Sequence, residues 1–182
     1  IDKNFYKNEK IKELFKKNFS KKHLIVFGAN TSKKIGSRDK YYNSMIVSNN
    51  NFQFITKYDK KKLVPFGEFL PFEFILNSIG LKKITPGYES FSSGEGNSLL
   101  KFNFDDKKIT ILPLICYEII FPTLVENNNK YNFLINISED AWFGKSIGPQ
   151  QHFAKAIFRS IESNVFTLRA ANMGISAFIS PQ

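Results

Sequence analysis

The sequence has a single cysteine, Cys116, among 182 residues, so no disulfide can form within the chain. It has two histidines, His23 and His152, and these make no recognisable zinc-ligand spacing with the cysteine. No window approaches the ~18 consecutive apolar residues of a membrane-spanning helix. No signal peptide is visible, but the chain opens on Ile1 rather than Met and stops just after an apolar run, at Ser180-Pro181-Gln182. A piece cut at both ends is expected. Arginine is scarce: only Arg38, Arg159 and Arg169 stand among 26 basic residues. The formal charge of +10 is therefore carried by lysine. Sequence-specific nucleic-acid sites favour the bidentate arginine fork, so nucleic acid is not expected as a partner. The abundance of Lys, Asn, Ile and Phe matches the drift of an AT-rich genome. No internal repeat is present, and the length suits one domain with a real core.

The chain offers apolar runs that end abruptly in polar residues. Ile109 to Cys116 ends in Cys116-Tyr117-Glu118. Tyr131 to Ser138 ends in Glu139-Asp140-Ala-Trp142-Phe-Gly. A third segment joins Lys60-Lys61-Lys62 to Leu-Val-Pro-Phe-Gly-Glu68. Short apolar runs bounded by turns predict buried strands, and their polar ends sit where a sheet meets its loops. A thiol nucleophile needs a base and needs donors where negative charge develops; a lysine and the Tyr117 N–H would serve as donors. Cys116 has two readings, a nucleophile or a small buried hydrophobe. The lysine triplet likewise is either a solvated run or a functional cation. Strand parity puts Lys60 and Lys62 on one face and does not choose between them. For His152, a structural or surface role is the default. Gly144-Lys145-Ser146 mimics the tail of a phosphate-binding loop, but Glu139 occupies the place of its first glycine.

In order, residues 4–19 predict an amphipathic helix with Ile11, Leu14, Phe15 and Phe19 on one face. His23–Asn30 predicts a strand ending in a glycine turn, and 31–40 a polar loop. Tyr41–Ser48 and Phe52–Lys57 predict a hairpin across Asn49-Asn50-Asn51. Phe69–Ile79 suits a short helix and 82–98 a long loop. Leu99–Phe104 and Lys108–Cys116 form a second hairpin, with Pro113 predicting a bulge or an unpaired edge. Ile119–Asn127 is a further helix. A helix from Pro149 to Ser163 carries Phe153, Ile157 and Ile161 on one face, and Val165–Arg169 and Ile175–Ile179 close as strands. These elements argue for a layered α/β domain.

Four segments in order carry a resemblance. They are Tyr58-Asp-Lys60-Lys-Lys-Leu-Val-Pro-Phe-Gly-Glu68, Ile115-Cys-Tyr-Glu118, Asp140-Ala-Trp-Phe-Gly144 with Gly148-Pro-Gln-Gln-His152, and Leu168-Arg-Ala-Ala-Asn-Met-Gly174. Together they resemble the apolipoprotein N-acyltransferase branch of the nitrilase, or carbon–nitrogen hydrolase, superfamily. The resemblance implies an α/β fold, a nitrilase-like α-β-β-α sandwich truncated at both ends, with residues 1–182 as one partial catalytic domain. It implies a Glu–Lys–Cys triad in which Cys116 matches the nucleophile and Lys60 the lysine. Glu68 and Glu118 match further carboxylates of the site, and Tyr117 and Trp142 match aromatics of the acyl pocket. The triad glutamate is expected upstream of Ile1, so this piece alone is expected to be inactive. Glu139 stands where many relatives carry asparagine.

The implied chemistry moves an acyl chain from a membrane phospholipid, through a cysteine thioester, to the N-terminal amine of an apolipoprotein. No metal or cofactor is expected. A monomer is expected, on the outer face of a bacterial inner membrane. Phe69, Leu70, Phe72 and Phe74 with the 82–98 loop suit a lid or membrane-dipping arm, or else simply core. Two alternatives are a soluble amidase or nitrilase that uses water as acceptor and a non-catalytic basic binding module.

Overall fold

The computed structural model describes residues 9–72, 90–96, 98–125 and 131–182. Two sheets are stacked between helices. The first sheet has the order β1-β2-β3, with β1 Leu24–Ile35, β2 Arg38–Asn49 and β3 Phe54–Asp59, all antiparallel. The second has the order β4-β5-β6-β7-β8, with β4 Leu100–Phe104, β5 Lys107–Ile115, β6 Phe133–Glu139, β7 Phe166–Asn172 and β8 Ala177–Ile179. Within it β5, β6 and β7 are parallel, and β4 and β8 are antiparallel edges. Helix α1 spans Glu9–Asn18 and α2 spans Gly148–Ser163.

Register fixes which face each residue occupies. Met45, Val47 and Tyr58 meet Leu100, Ile111, Ile115 and Ile135 between the sheets. The alternate residues of the second sheet, Leu112, Leu114 and Leu134, face outward and pack with Ala156 of α2. On the first sheet Phe27 pairs with Ile46, the partner between Met45 and Val47, and so faces the outer side. There Phe27 meets Phe52, and Phe52 meets Phe15 of α1 with ring centroids 4.2 Å apart. The layers therefore run α1, first sheet, second sheet, α2, the expected α-β-β-α sandwich. β5 is buried on both faces from Thr110 to Ile115. A central strand covered on both faces gives a continuous apolar run instead of alternation.

Several expectations need correction. β1 continues through Gly28 to Ile35 and turns only at Gly36, whose φ is +62°. The predicted polar loop over 31–40 is thus a long two-stranded ribbon. Gly28 serves packing: a Cβ there would lie 3.2 Å from Ile137 Cδ1 of the facing sheet. Pro113, by contrast, takes the second of its two expected forms: it pairs in register with Ile135 without a bulge, and the β4 ladder has ended at Ile111, so its other edge is unpaired. After β5 the chain forms short 3-10 turns at Cys116–Ile120 and Pro122–Leu124, where a longer helix was expected. In α2 the buried face is His152, Ala156, Arg159, Ser160 and Ser163, while Ile161 is exposed. Residues 73–79 of the expected helix, with Phe74, and residues 82–89 of the expected lid lie outside the described residues.

The segment carrying Lys60 is pinned where β3 ends. Lys60 N–H donates to the Asn43 carbonyl at 2.8 Å, and Gly94 N–H donates to the Lys60 carbonyl at 2.8 Å. Gly94 lies so close that a Cβ would sit 2.0 Å from the Asp59 carbonyl oxygen. We expect Gly94→Ala to destabilise the fold by at least ~2 kcal/mol, read by denaturant unfolding, because backbone rather than a flexible side chain must move.

Candidate active site

Two carboxylates, Glu68 partly buried and Glu118 fully buried, organise the ends of the strands. Glu68 Oε2 accepts from Lys60 Nζ at 2.7 Å and from Val64 N–H at 2.8 Å, and its Oε1 accepts from Asn43 Nδ2 at 2.7 Å. Lys60 is only 1% exposed, and an isolated ammonium there would cost several kcal/mol, so Glu68 compensates its burial. Strand parity fails at this triplet because β3 has ended at Asp59. Lys60 turns inward, Lys61 is half-buried and donates to the Gly96 carbonyl, and Lys62 is exposed.

Glu118 is fully buried and accepts four hydrogen bonds. Tyr58 Oη (2.8 Å), Lys61 N–H (2.8 Å) and Lys62 N–H (3.0 Å) donate to Oε1, and Ile115 N–H (2.8 Å) donates to Oε2. One side chain thus ties the backbone just after Lys60 to the backbone just before Cys116. Burial pushes the Tyr58 phenol well above its ordinary value, and the charge and hydrogen bond of Glu118 add to the rise.

Cys116 stands at the junction of β5 and the 3-10 turn with φ +50°, a left-handed conformation costing a non-glycine residue about 1–3 kcal/mol. Its thiol is half-buried. It opens on a cavity of about 1280 Å³ between the strand ends, shared by Lys60, Glu68, Tyr117 and Trp142. Five of the six residues singled out from sequence therefore meet in one cavity. Glu118, the sixth, lies behind the wall. Tyr117 packs edge-on against Phe121, and Trp142 is 61% exposed along the rim. Glu139 also lines the cavity, where Ala141 N–H and Asn172 Nδ2 donate to its carboxylate.

Hydrophobic patterning missed a second polar cluster. His152 is buried, not superficial. Its Nδ1 lies 2.9 Å from Asp140 Oδ1, and its Nε2 lies 3.2 Å from the Cys116 carbonyl oxygen. Arg169 Nη2 donates to Asp140 Oδ2 at 2.7 Å and lies 3.2 Å from His152 Nδ1, while its Nη1 donates to Asn136 Oδ1. Asn136 Nδ2 in turn donates to the Leu114 carbonyl at 2.9 Å. Burial alone would raise the Asp140 carboxyl, but hydrogen bonds from Ser138 and His152 and the Arg169 charge outweigh it and hold it below the ordinary carboxylate value. The available signal was helical spacing: His152, Ala156, Arg159 and Ser163 recur at three to four residues, and only Ala156 is apolar.

A cysteine at a strained strand end, beside a buried lysine–glutamate pair and between two stacked sheets, defines a thiol-centred α/β sandwich. The carbon–nitrogen hydrolase family model matches residues 9–182, and the chain belongs to that family. Its curated relatives include apolipoprotein N-acyltransferases of Rickettsia prowazekii (39% identical, covering 94% of this chain and 34% of that protein) and Sinorhizobium fredii (42%, 86% and 30%). The chain spans about a third of the length of these relatives. Among solved structures, Saccharomyces cerevisiae Nit3, of the nitrilase superfamily, superposes with TM-score 0.60 at 22% identity, covering 95% of this chain and 56% of that one. A mutant of the Nesterenkonia AN1 amidase gives TM-score 0.61 at 12% identity, covering 94% and 57%. These two likenesses concern the fold.

Glu118→Gln turns an NH₂ group toward backbone donors and should cost about 3 kcal/mol or more in unfolding free energy, against about 1.5–3 kcal/mol for Tyr58→Phe, which leaves three donors in place. The pH dependence follows from the two shifted groups. Asp140, depressed in the fold, contributes stability that is present above the ordinary aspartate value of about 3.9 and lost as pH falls through its folded value. Tyr58, raised in the fold, contributes stability that is present below about 10 and lost as pH rises beyond it. Thermal unfolding across pH should show both flanks, with Tyr58→Phe flattening only the alkaline one.

Proposed function

We propose that residues 1–182 are part of the catalytic domain of an enzyme that moves a fatty acyl chain from a membrane phospholipid to the N-terminal α-amino group of an apolipoprotein. The convergence of Cys116, Lys60, Tyr117 and Trp142 on one cavity is the observation that carries this reading. The likeness to N-acyltransferases at 39–42% identity supports the choice of substrates. In the same proposal the enzyme works as a monomer, and the family resemblance implies a site at the outer face of a bacterial inner membrane.

In this reading the reaction runs in two halves. A carboxylate base takes the Cys116 proton. The thiolate attacks the ester carbonyl, forming a C–S bond and pushing the carbonyl electron pair onto oxygen. The Lys60 ammonium and the Tyr117 N–H receive that oxyanion, each donor contributing roughly 3–4 kcal/mol in comparable sites. The ester C–O bond breaks, and the lysophospholipid leaves with the proton. The acceptor amine then attacks the thioester, its surplus proton passes to the carboxylate base, the C–S bond breaks, and the thiolate is restored.

Glu68 and Glu118 suit positioning better than proton transfer. Glu68 already accepts three hydrogen bonds and Glu118 four. We assign the base to a further carboxylate, which the family resemblance puts ahead of Ile1. Lys60 has three N–H donors, and among the described residues Glu68 takes one, so two remain for an oxyanion. Trp142 and Tyr117 form apolar wall for the acyl chain.

The full-length protein in phospholipid vesicles tests this. With a diacylglyceryl-cysteine peptide as acceptor, the wild type should yield the N-acyl product. Lys60→Met should lower its kcat by about 10²–10³-fold. Fatty acid released to water at a rate indifferent to the peptide would overturn the acyl-transfer reading in favour of a hydrolase.

A further inference from the structure

A trans peptide unit is planar, and its C=O and N–H point in opposite directions. The carbonyl of Cys116 and the N–H of Tyr117 belong to one such unit. His152 Nε2 lies 3.2 Å from that carbonyl oxygen, which can only accept, so Nε2 carries a proton in addition to the one that Nδ1 donates to Asp140. We propose that His152 is a positioning residue for the oxyanion site: by holding the Cys116 carbonyl from the α2 side, it aims the Tyr117 N–H into the cavity that Lys60 enters from the other sheet. This inference rests on the reading of Cys116 as the acyl-carrying nucleophile.

The surroundings of His152 fit an aiming device. The Cys116 backbone is in a left-handed conformation that it would not keep unaided, φ +50°. Asn136 holds the Leu114 carbonyl on the same strand end, and Arg169 links Asn136 to Asp140. Asp140, fully buried, fixes the imidazole through Nδ1 at 2.9 Å. Two carbonyls flanking the nucleophile are thus held by one connected set of side chains from β6, β7 and α2. The room around Asp140 is closed: a Cβ on Gly174 would fall 2.2 Å from its Oδ2. Phe143 covers the imidazole, with ring centroids 5.4 Å apart. A hydrogen bond to the carbonyl also polarises the peptide and makes the opposite N–H a stronger donor. His152 touches no reacting atom in this role and acts through the peptide it holds.

Two conservative substitutions separate the contacts. The amide of His152→Asn reaches about as far as Nδ1 and keeps Asp140 while losing the Cys116 carbonyl. That of His152→Gln reaches about as far as Nε2 and keeps the carbonyl. Two probes of the full-length protein then distinguish aim from general disorder. A long-chain fatty aldehyde, hexadecanal, adds reversibly to the Cys116 thiolate: a C–S bond forms, the carbonyl π bond breaks, and the oxygen takes the negative charge. Iodoacetamide alkylates the same thiol with loss of iodide and creates no oxyanion.

His152→Asn should weaken hexadecanal inhibition by about 10- to 100-fold while changing the alkylation rate less than about threefold, and His152→Gln should restore inhibition to within a few fold of wild type. Equal inhibition of the Asn and Gln variants, with wild type inhibited, overturns the positioning role and leaves the proposed function standing. A wild type that hexadecanal does not inhibit overturns both. Should His152→Asn fail to fold, His152→Gln decides: a loss of inhibition with unchanged alkylation contradicts the proposal.

Discussion

One buried carboxylate joins the two halves of the site. Glu118 holds the peptides after Lys60, at the edge of the first sheet, and the peptide before Cys116, at the end of β5 in the second. Among the described residues the sheets otherwise pack through apolar side chains, which fix separation but tolerate small slips. Hydrogen bonds to an ionised group fix direction as well, and four of them on a side chain with no access to water are costly to misplace. The relative placement of thiol and ammonium depends on this clamp. Glu68 then sets where the ammonium points within its own loop.

The second constraint works from the opposite side. Asp140, Arg169, Asn136 and His152 form a connected polar set in the layer between the second sheet and α2, beside the apolar cluster of Leu112, Leu114, Leu134 and Ala156. Such networks specify one arrangement when every member is satisfied. Here the cluster ends on the carbonyl of the residue that opens on the cavity. The strand end that carries Cys116 is therefore held by Glu118 on one side and by the α2 cluster on the other. The left-handed Cys116 backbone is the strained element between them.

Much of this was legible in the sequence, for identifiable reasons. The apolar run before Cys116 announced a doubly covered strand, and the polar residues closing each run marked the rim of one cavity. The Asp105-Asp106 turn of the β4–β5 hairpin, with both residues at positive φ, is of the kind short polar pairs make. Errors arose where period or propensity lost meaning. Gly28 looked like a turn because glycine breaks strands, whereas here it makes room for Ile137. Parity could not place Lys60, because β3 stops one residue before it. The buried stripe of α2 is helical in spacing but mostly polar, so hydrophobic patterning centres instead on the apolar flank formed by Phe153 and Ile157.

Acyl transfer by this site requires a covalent intermediate at Cys116. The direct measurement is peptide mass spectrometry of the full-length protein quenched in vesicles of a single phospholipid species without acceptor. The expected result is a mass increase of one acyl chain on the peptide containing Cys116, removed by neutral hydroxylamine and absent from Cys116→Ser. An acyl group on any other residue, or turnover with Cys116 never modified, would contradict it.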